Sequence, residues 1–94
     1  MNSHQFKYFW YRLCPHCSGQ GRLLITEDLT NERLYLHCEE CDWGWIDPAM
    51  AHDVSKGFLT ILEDFETKNP TFETIRSFGW EKYALHAFHE TSES

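Results

Sequence analysis

All four cysteines of the chain fall into two pairs, Cys14-Pro15-His16-Cys17 and Cys38-Glu39-Glu40-Cys41, with twenty residues between them. A tight Cys-x-x-Cys turn supplies two adjacent corners of a tetrahedron. Two such turns brought together close a shell of four thiolates around Zn2+, each sulfur at about 2.3 Å. Cys14, Cys17, Cys38 and Cys41 are therefore the candidate ligands of one structural zinc ion. Catalytic zinc keeps a coordination position open, and four thiolates leave none. His16, inside the first turn, and His37, just before Cys38, are the two histidines placed to replace a thiolate; they read instead as a solvated turn residue and a strand residue.

The first turn invites two other readings. Cys-Pro-His-Cys resembles the dithiol sequence of disulfide oxidoreductases, but that motif opens a helix within a βαβ unit. Here Ser18-Gly19-Gln20-Gly21 follows, which breaks a helix, and the second pair would have no role. Cys-x-x-Cys-x-Gly-x-Gly is similar to the zinc repeat of the DnaJ chaperones, which needs several consecutive copies. The second pair reads CEECDWGW and lacks the glycine pattern. Glycines follow the first turn because the chain must bend tightly there. The chain holds no Ser/His/Asp arrangement, no phosphate-cradling glycine loop and no His-Glu-x-x-His. His4, His52, His86 and His89 are scattered, and the last two read as a solvated pair at a helix end.

A four-cysteine site must be held by a hairpin with one Cys turn at each end. Gly21 to Glu27 (GRLLITE) and Glu32 to His37 (ERLYLH) read as its strands, joined by the turn-forming Asp28 to Asn31 (DLTN). Phe6 to Leu13 (FKYFWYRL) is β-prone and aromatic on both faces, and adds a strand that pairs within the chain or offers an edge to another chain. Trp43 to Asp47 either forms a third strand or covers the zinc turn. Asp47-Pro48 reads as a helix start. Met50, Val54, Phe58, Ile61, Leu62 and Phe65 then follow at helical spacing, up to Asn69-Pro70, with Gly57 as a weak point. Thr71 caps a short helix through Ile75 and Phe78 that stops at Gly79. A last helix over WEKYALHAFHE places Trp80, Tyr83, Ala84, Ala87 and Phe88 on one side. The expected fold is thus α+β: a small zinc ribbon with an antiparallel three-stranded sheet and a C-terminal helical extension. It divides into residues 1–47 (ribbon with its N-terminal strand), 48–90 (helices) and a frayed polar tail, 91–94, in one domain.

The chain has 94 residues, 41% of them hydrophobic and 16% aromatic, too apolar for a disordered segment. At this length a core alone gives limited stability, and a metal is a common supplement. No apolar run is long enough for a membrane-spanning helix, and the N-terminal residues carry no secretion signal. The expectation is a cytoplasmic protein, where paired cysteines serve as metal ligands more often than as disulfides. Net charge is −7, and residues 42–94 hold ten acids against four bases. Such a field attracts basic partners and repels nucleic acid.

The stretch CPHC, the hairpin, CEECDWGW and the Asp-Pro after it resemble a group of small bacterial zinc-ribbon proteins. In that group a Cys-x-Glu-Cys-x-x-x-Trp ribbon is followed by helices and a late Thr-x-x-x-Ile-x-x-x-Gly-Trp-x-x-Tyr segment. Here the segment reads TFETIRSFGWEKY, with Thr71, Ile75, Gly79, Trp80 and Tyr83, so the likeness spans residues 14–48 and 70–83. Ser-Gly-Gln-Gly after Cys17 and Gly44 between the two Trp residues depart from the pattern. The resemblance implies an immunity-type or uncharacterised protein encoded with polymorphic toxins, and the acidic surface points to a basic toxin domain as its partner. Glu39, Glu40, Asp42, Glu63, Asp64 and Glu66 are the candidate partner-binding acids. The competing expectation is a ribbon adaptor in transcription, translation or nucleic-acid binding, through Lys7, Arg12, Arg22 and Arg33 beside Tyr8, Trp10 and Tyr11. Its low count of bases and the negative charge disfavour nucleic acid. A thiol oxidoreductase ranks last.

Overall fold

Seven strands build one antiparallel sheet in the computed structural model, which describes residues 4–92, with the side chains of 4–6 and 90–92 excepted. The strands are β1 (His4–Leu13), β2 (Arg22–Asp28), β3 (Arg33–Cys38), β4 (Trp43–Trp45), β5 (Phe58–Leu59), β6 (Thr67–Lys68) and β7 (His86–Ser92). Their order is β5-β4-β3-β2-β1-β7, with β6 pairing β2 beyond the end of the β1 contact. The one α-helix described is α1 (Phe72–Ser77). The fold is mostly sheet with little helix.

The hairpin β2–β3 sets the register. Leu23 faces Cys38 and Ile25 faces Leu36 on one side of the sheet; Leu24 faces His37 and Thr26 faces Tyr35 on the other. Alternation along each strand sends Leu23, Ile25, Leu34 and Leu36 into a common core. Phe9 of β1, Trp45 of β4, Ala51 and Ile75 of α1 join them, together with Cys14 and Cys38. Asp28 closes the hairpin turn. Its carboxylate accepts from the amide and side chain of Asn31 and from Arg33 Nε at 2.9 Å, and it is fully buried. Thr71 caps α1, accepting at Oγ1 from the amide of Thr74, and Gly79 ends the segment at φ 77°. These follow the sequence reading.

Of the helical extension expected over 48–90, only α1 and four 3-10 turns form among the described residues. Asp47 and Pro48 do start a turn, with the Asp47 side chain accepting from Ala49 N, but it is a 3-10 turn that ends at Met50. Two reasons are visible. Asp53 begins a second capped turn by accepting from Ser55 N. The indoles of Trp45 and Trp43 donate to the carbonyls of Asp53 and Val54, oxygens that a continuous helix uses four residues on. Phe58 and Leu59 are then drawn into the sheet opposite Gly44 and Trp43. The expected terminal helix is a strand for a related reason. The ten-residue β1 offers a long outer edge, and β7 pairs with it from His4–Ser92 to Trp10–His86. Tyr8 stacks on Phe88 with centroids 5.2 Å apart, and Trp10 on His86 at 4.2 Å. Cross-strand aromatic pairing of this kind outweighs a weak helix propensity. β1 therefore pairs within the chain, the sheet has seven strands rather than three, and Thr91 and Ser92 of the expected tail lie in β7. Residues 93–94 lie outside the described residues. No helix among the described residues is long and apolar enough to cross a membrane.

Candidate metal centre

The two Cys turns meet at one end of the β2–β3 hairpin. The amide of Cys14 donates to Gly21 O at 2.8 Å, which brings the start of β2 back beside the end of β1. Ser18 at φ 57° and Gly19 at φ 81° make the reversal between them. The second turn leaves β3 at Cys38, where Asp42 N donates to Cys38 O and Asp42 itself takes φ 61° before β4 begins. A Cβ on Gly21 would sit 2.5 Å from Cys38 Sγ and 3.0 Å from Glu40 Cβ, so glycine is what lets the two turns close on each other. Gly44 has the same office one strand away, since a Cβ there would meet Leu36 O at 2.7 Å. Gly21 thus lies where the two metal turns approach each other, and Gly44 where β4 passes close to Leu36 and Thr60.

The sulfurs of Cys14, Cys17, Cys38 and Cys41 all lie within 4.8 Å of one another. Cys14 Sγ is 3.7 Å from Cys41 Sγ, and Cys17 Sγ is 3.7 Å from Cys38 Sγ. A disulfide needs about 2.05 Å. A tetrahedron with arms of about 2.3 Å has edges of about 3.8 Å, which these separations match. The four side chains therefore fit a tetrahedral zinc ion. The pairs at 3.7 Å each join one turn to the other.

Around the sulfurs the backbone supplies donors. The amides of Glu40 and Cys41 lie 3.4 and 3.5 Å from Cys38 Sγ. Burial pushes the Cys38 thiol up to about 11 and raises Cys14 and Cys41 as well. Burial acts the same way on Cys17, but the backbone of Gly21 and the neighbouring thiols more than offset it and lower that group. Three thiols that hold their protons at neutral pH need a cation to become thiolates, so ion binding here is coupled to proton release. His16 and His37 are not part of the sulfur cluster. His16 stacks flat on Trp43, centroids 4.4 Å apart and planes 8° off parallel, and His37 Nε2 lies 3.1 Å from Asp42 Oδ1.

The six candidate partner-binding acids divide. Glu39 is held by Arg22, which donates from its backbone amide, Nε and Nη2, and that contact keeps the Glu39 carboxyl below its ordinary range. Asp42 is engaged by His37. Glu40, Glu63, Asp64 and Glu66 are exposed and have no ion pair among the described residues. Glu63, Asp64 and Glu66 lie on the segment that joins β5 to β6. Sequence reasoning missed the tie between that segment and Asp42: Thr60 is buried, and its amide and hydroxyl both donate to Asp42 O, at 2.8 and 2.7 Å. It also placed Ile61 and Leu62 in a core-facing stripe, whereas both are exposed, at 68% and 76%. The signal available was the adjacency of Ile61-Leu62 to Glu63-Asp64, an apolar pair abutting acids with no helical offset between them.

Compared with protein-family models, with curated proteins and with solved structures, the chain has no significant match in any of the three.

Proposed function

We propose that the chain is a non-catalytic zinc-ribbon protein that acts by binding another protein: a cytoplasmic immunity protein that neutralises a basic bacterial toxin, such as a nuclease, by stoichiometric occlusion. The zinc is structural in this reading. Four thiolates fill its shell, and its task is to hold the two Cys turns and the strands that leave them. The observation that carries the binding reading is the strip from Gly57 to Glu66. It contains three acids and no base, and none of its carboxylates is paired among the described residues. Unpaired like charge costs the fold a little and returns nothing within it, but it steers an oppositely charged partner and raises its rate of encounter.

The adaptor reading depends on exposed bases beside open rings. Arg22 and Arg33 are engaged by Glu39 and Asp28, and Arg22 also lies over the Phe88 ring at 3.9 Å. Tyr8 and Trp10 already stack on Phe88 and His86, which leaves less ring surface for a base.

The test is a tagged pull-down from the source cells at low and moderate salt, with the metal content of the bait measured alongside. One basic protein at a one-to-one ratio, with an association rate that falls as salt rises, is the expected result. Polymerase, ribosomal proteins or RNA in its place would transfer the protein to the adaptor class, and a salt-insensitive rate would remove the steering argument.

A further inference from the structure

We infer that the turn Thr60–Glu66 is the docking element of this protein, and that Ile61 and Leu62 are its apolar anchor for a cationic protein surface bearing an apolar recess. This rests on the basic-partner reading above and narrows it to one segment. Ile61 and Leu62 are the two most exposed large hydrophobic side chains of the described residues, at 68% and 76%. They sit side by side in a 3-10 turn (Thr60–Leu62), so they project as a pair rather than as scattered surface residues.

The turn is held rather than loose. Thr60 is tied twice to Asp42 O, and Glu63 N donates to Thr60 O at 2.9 Å. Beyond it, Glu66 N donates to Thr30 Oγ1 and Leu29 N to Glu66 O, which pins the far end to the β2–β3 turn. An exposed apolar pair between two fixed ends is presented at little further entropic loss on binding. Beside it lies a hollow of about 160 Å³ lined by Ile46, Phe58, Arg33 and Glu63. The Arg33 guanidinium there is already bound to Asp28 at 2.9 Å, which leaves Glu63 as the uncommitted charge at its rim.

Charge chooses the occupant. Glu63, Asp64 and Glu66 follow the anchor directly, and the strip holds no cation. A second copy of the chain would bring the same three negative charges against these, which disfavours self-association through this turn. A surface carrying Lys or Arg around an apolar recess satisfies both features at once.

The experiment uses the full zinc-loaded chain and two probes: a synthetic amphipathic peptide of alternating lysine and leucine, and oligolysine of the same charge. Amide NMR shifts map the site, and titration gives the affinity. The lysine–leucine peptide is expected to shift residues 60–66 and to bind the Ile61→Ser/Leu62→Ser variant at least tenfold more weakly. Oligolysine is expected to bind that variant as it binds the parent. Both peptides are expected to weaken on Glu63→Gln/Asp64→Asn/Glu66→Gln. Metal content and circular dichroism, unchanged because the replaced side chains are exposed, separate a binding defect from misfolding. If neither peptide binds, the basic-partner reading and this inference fall together. If the lysine–leucine peptide binds but shifts other residues, or binds the Ile61→Ser/Leu62→Ser variant equally well, this inference alone falls. A parent dimer that the same variant dissociates would assign the turn to a second copy and would also overturn it.

Discussion

Asp28 shows how one residue in this chain is committed to structure by its surroundings. Its side chain is fully buried at the hairpin turn. Burial favours the neutral acid, but two hydrogen bonds from Asn31 and the Arg33 guanidinium outweigh it and hold the carboxyl below its ordinary value of 3.8. A depressed folded value means that the unfolded chain takes up the proton first as pH falls. The stabilisation is therefore fully present above about pH 4 and is lost as pH drops from there through the folded value. Asp28→Ala is expected to destabilise by about 1–3 kcal/mol at pH 7, discounted because Arg33 is part-exposed and keeps access to water. Urea titrations of the parent and the variant should differ at pH 7 and converge toward pH 2, and a gap that persists at pH 2 would contradict the ion-pair account. Three of the cysteines, Cys14, Cys38 and Cys41, are instead raised by burial. A cation must displace those protons to bind, so metal is expected to dissociate as the solution is acidified, the same direction in which the Asp28 stabilisation is lost.

At the scale of elements, the two Cys turns fit because Gly21 lets one ride over the other. Gly21→Ala is expected to weaken zinc binding by about 10- to 100-fold, since the new methyl meets the Cys38 sulfur and the Glu40 stem instead of a flexible side-chain tip. A competition titration against a chromogenic chelator measures this, and an unchanged affinity would mean that the second turn yields without cost. The same scale explains where reading the sequence succeeded. β2 alternates, with Leu23 and Ile25 inward and Leu24 and Thr26 on the other face, and it pairs with β3 residue for residue, so β2 and β3 fall within a residue of their expected bounds. Met50, Val54, Phe58, Ile61, Leu62 and Phe65 carry a helical period as clear to the eye, yet the segment breaks into capped turns and a two-residue strand. The difference is that the strands of the hairpin satisfy each other locally. The fate of residues 48–68 is settled by indole donors from Trp43 and Trp45 and by the open edge of β4, contacts that a helical period does not encode.

Taken as a whole molecule, the sheet and the metal site share one core. Cys14 and Cys38 are both fully buried and pack in the cluster that includes Leu23, Ile25, Leu36 and Trp45. Removing the ion would leave four thiols in contact, three of them desolvated enough to stay protonated, with the contacts between Arg22 and Glu39 left to hold the second turn against the start of β2. Metal binding in small four-ligand sites contributes on the order of 10 kcal/mol, as much as the entire stability expected of a chain this size. Chelation is therefore expected to abolish the cooperative thermal transition and to raise hydrogen exchange through β3, β4 and, by way of Thr60, the 60–66 turn. Exchange confined to residues 14–21 and 38–41 would show instead that the sheet stands without its ion.

The sequence alone determined the ligands, the hairpin between them, the cap of α1 and the skew of charge. All of these rest on short-range relations: a Cys-x-x-Cys turn, a period of two, a Thr three residues before an amide. Only the tertiary structure decided that the C-terminal half is sheet and turn rather than helix, that β7 covers the outer edge of β1, and that Glu39 and Asp42 are engaged while Glu63, Asp64 and Glu66 are not. It also decided that Ile61 and Leu62 face solvent. Those outcomes depend on which strand edge and which indole capture a segment, and such partners compete on energies of a few kcal/mol that local propensity does not encode.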